Sequence, residues 1–183
     1  RDSALGSNGF PGAFYVATWE VVRPQVVEAV WDYFSGGLLT RAVCVSHIVL
    51  IPKVKDPTNI EQYKPICLCN VSYEILASLI STKLSRFIPR LVSREQHGFI
   101  RGRSIQGAVE IASELVNDIN WRYVGSNVIL QVDMNKEYDR MEWSFIIRAL
   151  RSCGFHEWFC DICFRCFSSA WISVSIMGKC FNF

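Results

Sequence analysis

Three groups of residues have the side-chain types and spacing that chemistry needs. Asp133 closes the run Val128-Ile129-Leu130-Gln131-Val132, whose β-branched and apolar residues predict a buried strand over 127–133. A carboxylate at the end of such a strand is held rigidly, as a divalent-cation ligand must be. Spacing alone leaves open the alternative of a strand-end acid with no role. Further on, Asp139 and Glu142 have the D-x-x-E spacing of a capping box ahead of Trp143, Ile146, Ile147 and Leu150, so Asp139 reads as a helix cap.

The second group is Cys160, Cys163 and Cys166, spaced C-x2-C-x2-C, with His156 four residues before them. A zinc site is one reading. Metal-binding cysteines normally sit on turns containing Gly or Pro, and residues 155–171 contain neither, which favours thiols packed in a helical core. The third group is electrostatic. Residues 41–103 hold ten Lys/Arg against four Asp/Glu, and the rest of the chain holds nine against thirteen, so a net charge of only +2 conceals a basic middle. Such a stretch attracts polyanions, or it is a solvated charged face.

Positioning these groups falls to elements the sequence marks out in turn. Residues 6–12 are rich in Gly, Asn and Pro and read as a loop. Residues 14–36 read as a helix broken or kinked near Pro24 and stopped by Gly36-Gly37. His47-Ile48-Val49-Leu50-Ile51, closed by Pro52, reads as a buried strand, followed by a polar loop. Asn70 is placed to cap a long helix carrying Val71, Ile75, Leu76, Leu79, Ile80, Leu84, Phe87, Ile88 and Leu91, with Pro89 kinking its last turn. Ser104 caps another, to about Trp121, and Gly154 ends the helix that begins near Trp143.

With 183 residues, 50% hydrophobic and 20% charged, the chain has the makings of one packed domain or two small lobes, and disorder is excluded. Mean hydropathy is +0.19. That implies a large interior or faces left for a partner to cover. No uncharged apolar run approaches the roughly 18–20 residues of a membrane helix, so no membrane partner is expected. Eight cysteines without a secretory segment read as mostly reduced thiols. The opening Arg1-Asp2-Ser3-Ala4 has neither Met nor a signal segment, and an internal fragment is expected.

The order of motifs resembles the reverse transcriptase of LINE-type non-LTR retrotransposons, in the form common in plant genomes. The stretches that carry the resemblance are Asn8-Gly9-Phe10-Pro11-Gly12, Ile48-Val49-Leu50-Ile51-Pro52-Lys53 and Tyr63-Lys64-Pro65-Ile66-Cys67-Leu68-Cys69-Asn70. They continue with Glu95-Gln96-His97-Gly98-Phe99, Gly102-Arg103 and Leu130-Gln131-Val132-Asp133 onward to Trp143. They are collinear over roughly residues 6–183.

The resemblance implies an α+β fold: an incomplete right-hand polymerase, with helical fingers and short strands followed by the start of the palm. Residues 1–40 would be an N-terminal loop and helix extension, 41–121 fingers-like, and 122–183 a partial palm. The parent reaction would be RNA-templated DNA synthesis with two Mg²⁺ ions (or Mn²⁺), an RNA template, a DNA primer and deoxynucleotides. Asp133 matches the first catalytic carboxylate, with the backbone of Met134 beside the same metal. Tyr138 matches the aromatic beneath the sugar, and a core ring is its alternative. Lys64, Arg101 and Arg103 match positions that meet the incoming triphosphate or the template backbone. A nuclear location follows from the resemblance alone.

Departures matter too. Lys64 stands where Arg is usual and lacks its bidentate fork, and Glu137 stands where Ala is usual. No Asp-Asp dipeptide occurs in the chain, so the paired-Asp turn that supplies the remaining metal ligands is missing. Polymerase inactivity of this chain alone is therefore expected, with a non-catalytic nucleic-acid-binding remnant as the alternative. An unpaired edge beside 128–133 and uncovered Ile129, Phe155 and Trp171 are also expected.

Overall fold

The computed structural model describes residues 6, 8–119, 127–134, 140–176 and 179–182, with the backbone alone for 175–176 and 179–182. The elements are α1 Gly12–Ala17, α2 Trp19–Phe34, α3 Arg41–Cys44, β1 Val45–Pro52, β2 Tyr63–Cys69, α4 Val71–Ser85, α5 Ile88–Leu91, α6 Ile105–Asp118, α7 Trp143–Ser152, α8 Glu157–Ser168, β3 Trp171–Ile176 and β4 Lys179–Asn182. The fold is α+β. Among the described residues no helix is long and apolar enough to cross a membrane.

Contacts divide the chain into one unit of residues 1–80 and 150–183 and another of residues 81–149, cut points that differ from the three segments expected from the motifs. In the first unit a four-stranded sheet runs in the order β2-β1-β3-β4. β1 pairs antiparallel with β2, with Ser46 opposite Cys69 and Pro52 opposite Tyr63. It pairs parallel with β3, and β3 pairs antiparallel with β4.

The core of this unit lies where α2, α4 and α8 bring Tyr33, Leu76, Cys160, Ile162, Cys163 and Cys166 out of water. Its polar atoms are partnered, as buried donors must be. Tyr33 Oη donates to the Ile162 carbonyl at 2.6 Å, and Tyr73 Oη to the Cys166 carbonyl at 2.8 Å. The Arg165 guanidinium lies 4.7 Å from the centre of the Tyr33 ring and donates to the carbonyls of Tyr33 and Gly37 at 3.1 and 2.6 Å. The second unit is more open: Ile100 and Ile147 are buried, whereas α6 carries Val109, Leu115 and Val116 exposed.

Two expectations are corrected. The first helix breaks at Thr18, whose Oγ1 donates back to the Phe14 carbonyl at 2.7 Å, and Pro24 sits inside a continuous α2. A hydroxyl that competes for main-chain partners interrupts the ladder more effectively here than the missing N–H of one proline. Residues 127–134 are neither strand nor buried. A β-branched run specifies a strand only when a partner closes its ladder, and none lies beside it among the described residues. Trp171 is uncovered as expected: it opens β3 and is 46% exposed, with the Arg41 guanidinium 4.2 Å from its ring centre. Ile129 is exposed and Phe155 stacks on Phe159 with centroids 5.2 Å apart.

Candidate functional site

Lys64 lies exposed on β2, opposite Ile51 of β1, in the first unit. Arg101, Arg103, Asp133 and Met134 belong to the second. Asp133 and Met134 are exposed on an irregular segment, and Tyr138 and Asp139 lie outside the described residues.

Arg101 and Arg103 sit on the loop between α5 and α6, and their surroundings differ sharply. Arg101 is exposed. The Arg103 guanidinium instead donates to the carbonyls of Ser93, Gln96 at 2.6 Å, Pro89 at 3.0 Å and Val92 at 3.4 Å. A charged donor gathering main-chain acceptors orders the backbone that carries them. The same loop is tied at its other end, where His97 Nδ1 donates to the Ser104 carbonyl at 3.0 Å and Ser104 Oγ caps α6 by accepting from Gln106 N–H at 3.2 Å. The imidazole lies so close to Gly107 that a Cβ there would stand 2.6 Å from His97 Cε1. The Glu95 carboxyl is held below its ordinary range by its own main-chain N–H and by Ser93, with Arg103 and Arg94 adding to the effect.

Arg103→Ala is expected to loosen the loop by roughly 1.5–3 kcal/mol, the worth of hydrogen bonds to a charged group. Amide exchange over 97–103 should then accelerate while that of α8 is unchanged; equal exchange in both proteins would remove Arg103 as the staple.

A family model described as reverse transcriptase (RNA-dependent DNA polymerase) matches residues 51–179. The chain belongs to the reverse transcriptase family. It is 25% identical over 177 residues to the Transposon TX1 uncharacterized 149 kDa protein of Xenopus laevis, an alignment that covers 96% of this chain and 13% of that protein. Both matches agree with the non-LTR retrotransposon lineage read from the motifs. They do not distinguish the plant form.

Among the described residues of this reverse transcriptase segment, the metal centre that its family implies is not assembled. Two Mg²⁺ ions need several converging carboxylates, and among the described residues no group of three or more His, Cys, Asp or Glu could hold a metal ion. Asp133, the acid matched to a catalytic carboxylate, is exposed. The cysteine cluster has a different role. Cys160, Cys163 and Cys166 are buried on α8, and His156 is that helix's cap, its Nδ1 accepting from Trp158 N–H at 3.1 Å. Burial pushes the Cys163 thiol up to about 11, with Cys160 and Cys166 adding to the shift.

Sequence reasoning missed Asn70 as a junction, since it was read only as a cap. Its side chain accepts from Asn8 N–H at 3.0 Å and donates to the carbonyls of Ala42 and Val43 at 2.8 and 3.3 Å. Arg103 as a staple was missed as well. In both cases the signal was a polar residue within a motif whose partners are main-chain atoms, which no side-chain pattern encodes.

Proposed function

We propose that this chain is the fingers and the beginning of the palm of an RNA-directed DNA polymerase from a non-LTR retrotransposon. Residues 1–40 form an N-terminal extension, 41–121 the fingers and 122–183 the partial palm. The family match over 51–179 supports this reading, as does the basic 41–103 stretch that such fingers require.

In the parent enzyme the reaction is two-metal nucleotidyl transfer. Asp133 and the Met134 backbone contribute to the metal site, Tyr138 lies beneath the sugar, and Lys64 and Arg101 meet triphosphate or template phosphates. Arg103, engaged by main-chain carbonyls, acts by holding the loop that carries Arg101. This chain alone does not polymerise, because one carboxylate cannot bridge two ions, and what it retains is binding of nucleic acid.

Primer extension on an RNA template with Mg²⁺ or Mn²⁺ should show no incorporation by this chain, and Asp133→Asn should change nothing. Robust incorporation that Asp133→Asn abolishes would overturn the claim of inactivity. RNA association should weaken steeply with salt and survive Asp133→Asn.

A further inference from the structure

Phe99 stands in the turn of the 93–103 loop and is 96% exposed. Leaving such a ring in water forgoes the stabilisation of burying it. Phe99 is also the one non-glycine among the described residues with a positive φ, 60°, a left-handed conformation that is unfavourable for a residue with a Cβ. Both penalties fall on the same residue, and a surrounding scaffold sustains them. Ile100 beside it is buried. The Gln96 side chain donates to the Gly98 carbonyl at 3.2 Å, Arg103 N–H donates to the Ile100 carbonyl at 3.1 Å, and the Arg103 guanidinium gathers the carbonyls before the turn. The ring is presented by a preformed turn. A strained, over-determined residue of this kind points to a function.

The charge around it identifies the ligand. Residues 86–103 hold five arginines against one glutamate, and Arg86, Arg90, Arg94 and Arg101 are exposed. Arg101 makes no ion pair among the described residues. An exposed aromatic in an arginine-rich stretch suits an unpaired nucleic-acid strand, whose bases stack on the ring while its phosphates meet the guanidinium groups.

We propose that Phe99 is a base-stacking residue for a single strand of nucleic acid, and that the turn fixed by Arg103 sets Arg101 to meet the phosphates of the same strand. The inference rests on the nucleic-acid-binding reading above and adds to it the face that reads unpaired bases.

The test is titration of the 183-residue chain with a short fluorescently labelled single-stranded RNA at several salt concentrations. Phe99→Ala and Phe99→Leu should each weaken binding by roughly five- to a hundredfold, and Phe99→Trp should stay within about twofold of the parent. The salt slope should be unchanged in the Phe99 variants but fall by about one in Arg101→Ala. Because the ring is exposed, thermal midpoints should match, which separates lost stacking from lost folding. If the parent chain binds with steep salt dependence and both Phe99→Ala and Phe99→Leu bind equally well, the stacking role is overturned and the nucleic-acid reading stands. If the parent binds no RNA at all, that reading falls and this inference falls with it.

Discussion

Asn70→Ala destabilises the protein by about 2–4 kcal/mol, because each buried partner left without a hydrogen bond costs about 1–3 kcal/mol. Asn70 is 0% exposed. Its Nδ2 supplies the carbonyls of Ala42 and Val43 at the end of α3, and its Oδ1 takes the N–H of Asn8 in the opening turn. Water cannot replace these partners without opening the junction. The fit is tight on the other side as well, since a Cβ on Gly6 would lie 2.6 Å from Asn70 Oδ1 and 2.6 Å from the Cys69 carbonyl oxygen. Asn70→Asp keeps the acceptor for Asn8 but turns a carboxylate toward two carbonyls, so it should be at least as harmful as alanine. Urea unfolding of the three proteins measures this, and a loss below about 1 kcal/mol for Asn70→Ala would show that the junction is not buried as described.

That junction shows what the motifs encode. Asn8 and Asn70 belong to two stretches far apart in sequence that together suggested a polymerase, yet in the fold they hydrogen-bond to each other. Arg103 belongs to a third, and its guanidinium meets main-chain carbonyls. Family motifs thus mix residues that do chemistry with residues that hold the chain that does it, and one-dimensional spacing does not separate the two. Elements set by local pattern were readable: β1 from its β-branched run closed by Pro52, α6 from its Ser104 cap, and the end of α7 from Gly154, which has φ +83°.

Whatever depends on distant partners was not readable. β3 is paired with β1 across more than a hundred residues, Val45 opposite Trp171, and nothing local to Trp171 announces that. Conversely, residues 127–133 have strand composition and no strand partner among the described residues, so they are not a strand. The site was legible as residue types and illegible as geometry. The motif marks Asp133, whereas the motif around Phe99 assigns that ring no role, and only its exposure and backbone conformation single it out.

Raising the pH should unfold this protein through its core before its surface charges matter. Cys163 is 2% exposed, and burial moves its thiol from 9.0 to about 11, with Cys160 and Cys166 adding to the shift. Burial likewise raises the thiols of Cys44, Cys160 and Cys166 and, most strongly, the phenols of Tyr33 and Tyr73. Each is an acid that the fold keeps neutral. Below about pH 9 folded and unfolded chains both hold these protons, and stability is independent of them. Above it the unfolded chain releases protons that the folded chain retains, so the unfolded state gains and stability falls as pH rises. For Cys163 alone the shift corresponds to about 2–3 kcal/mol lost by about pH 11. That is a large share of the roughly 5–15 kcal/mol that holds a domain together. Urea midpoints should therefore decline steadily from about pH 9 to pH 10.5. Cys163→Ala removes one titrating thiol from the same helix face, so its decline should be shallower by about one proton even though its starting stability is lower. A parent protein with a flat profile over that range would mean that these thiols and phenols are open to solvent, and that the core built by α2, α4 and α8 is not the dry interior their positions require.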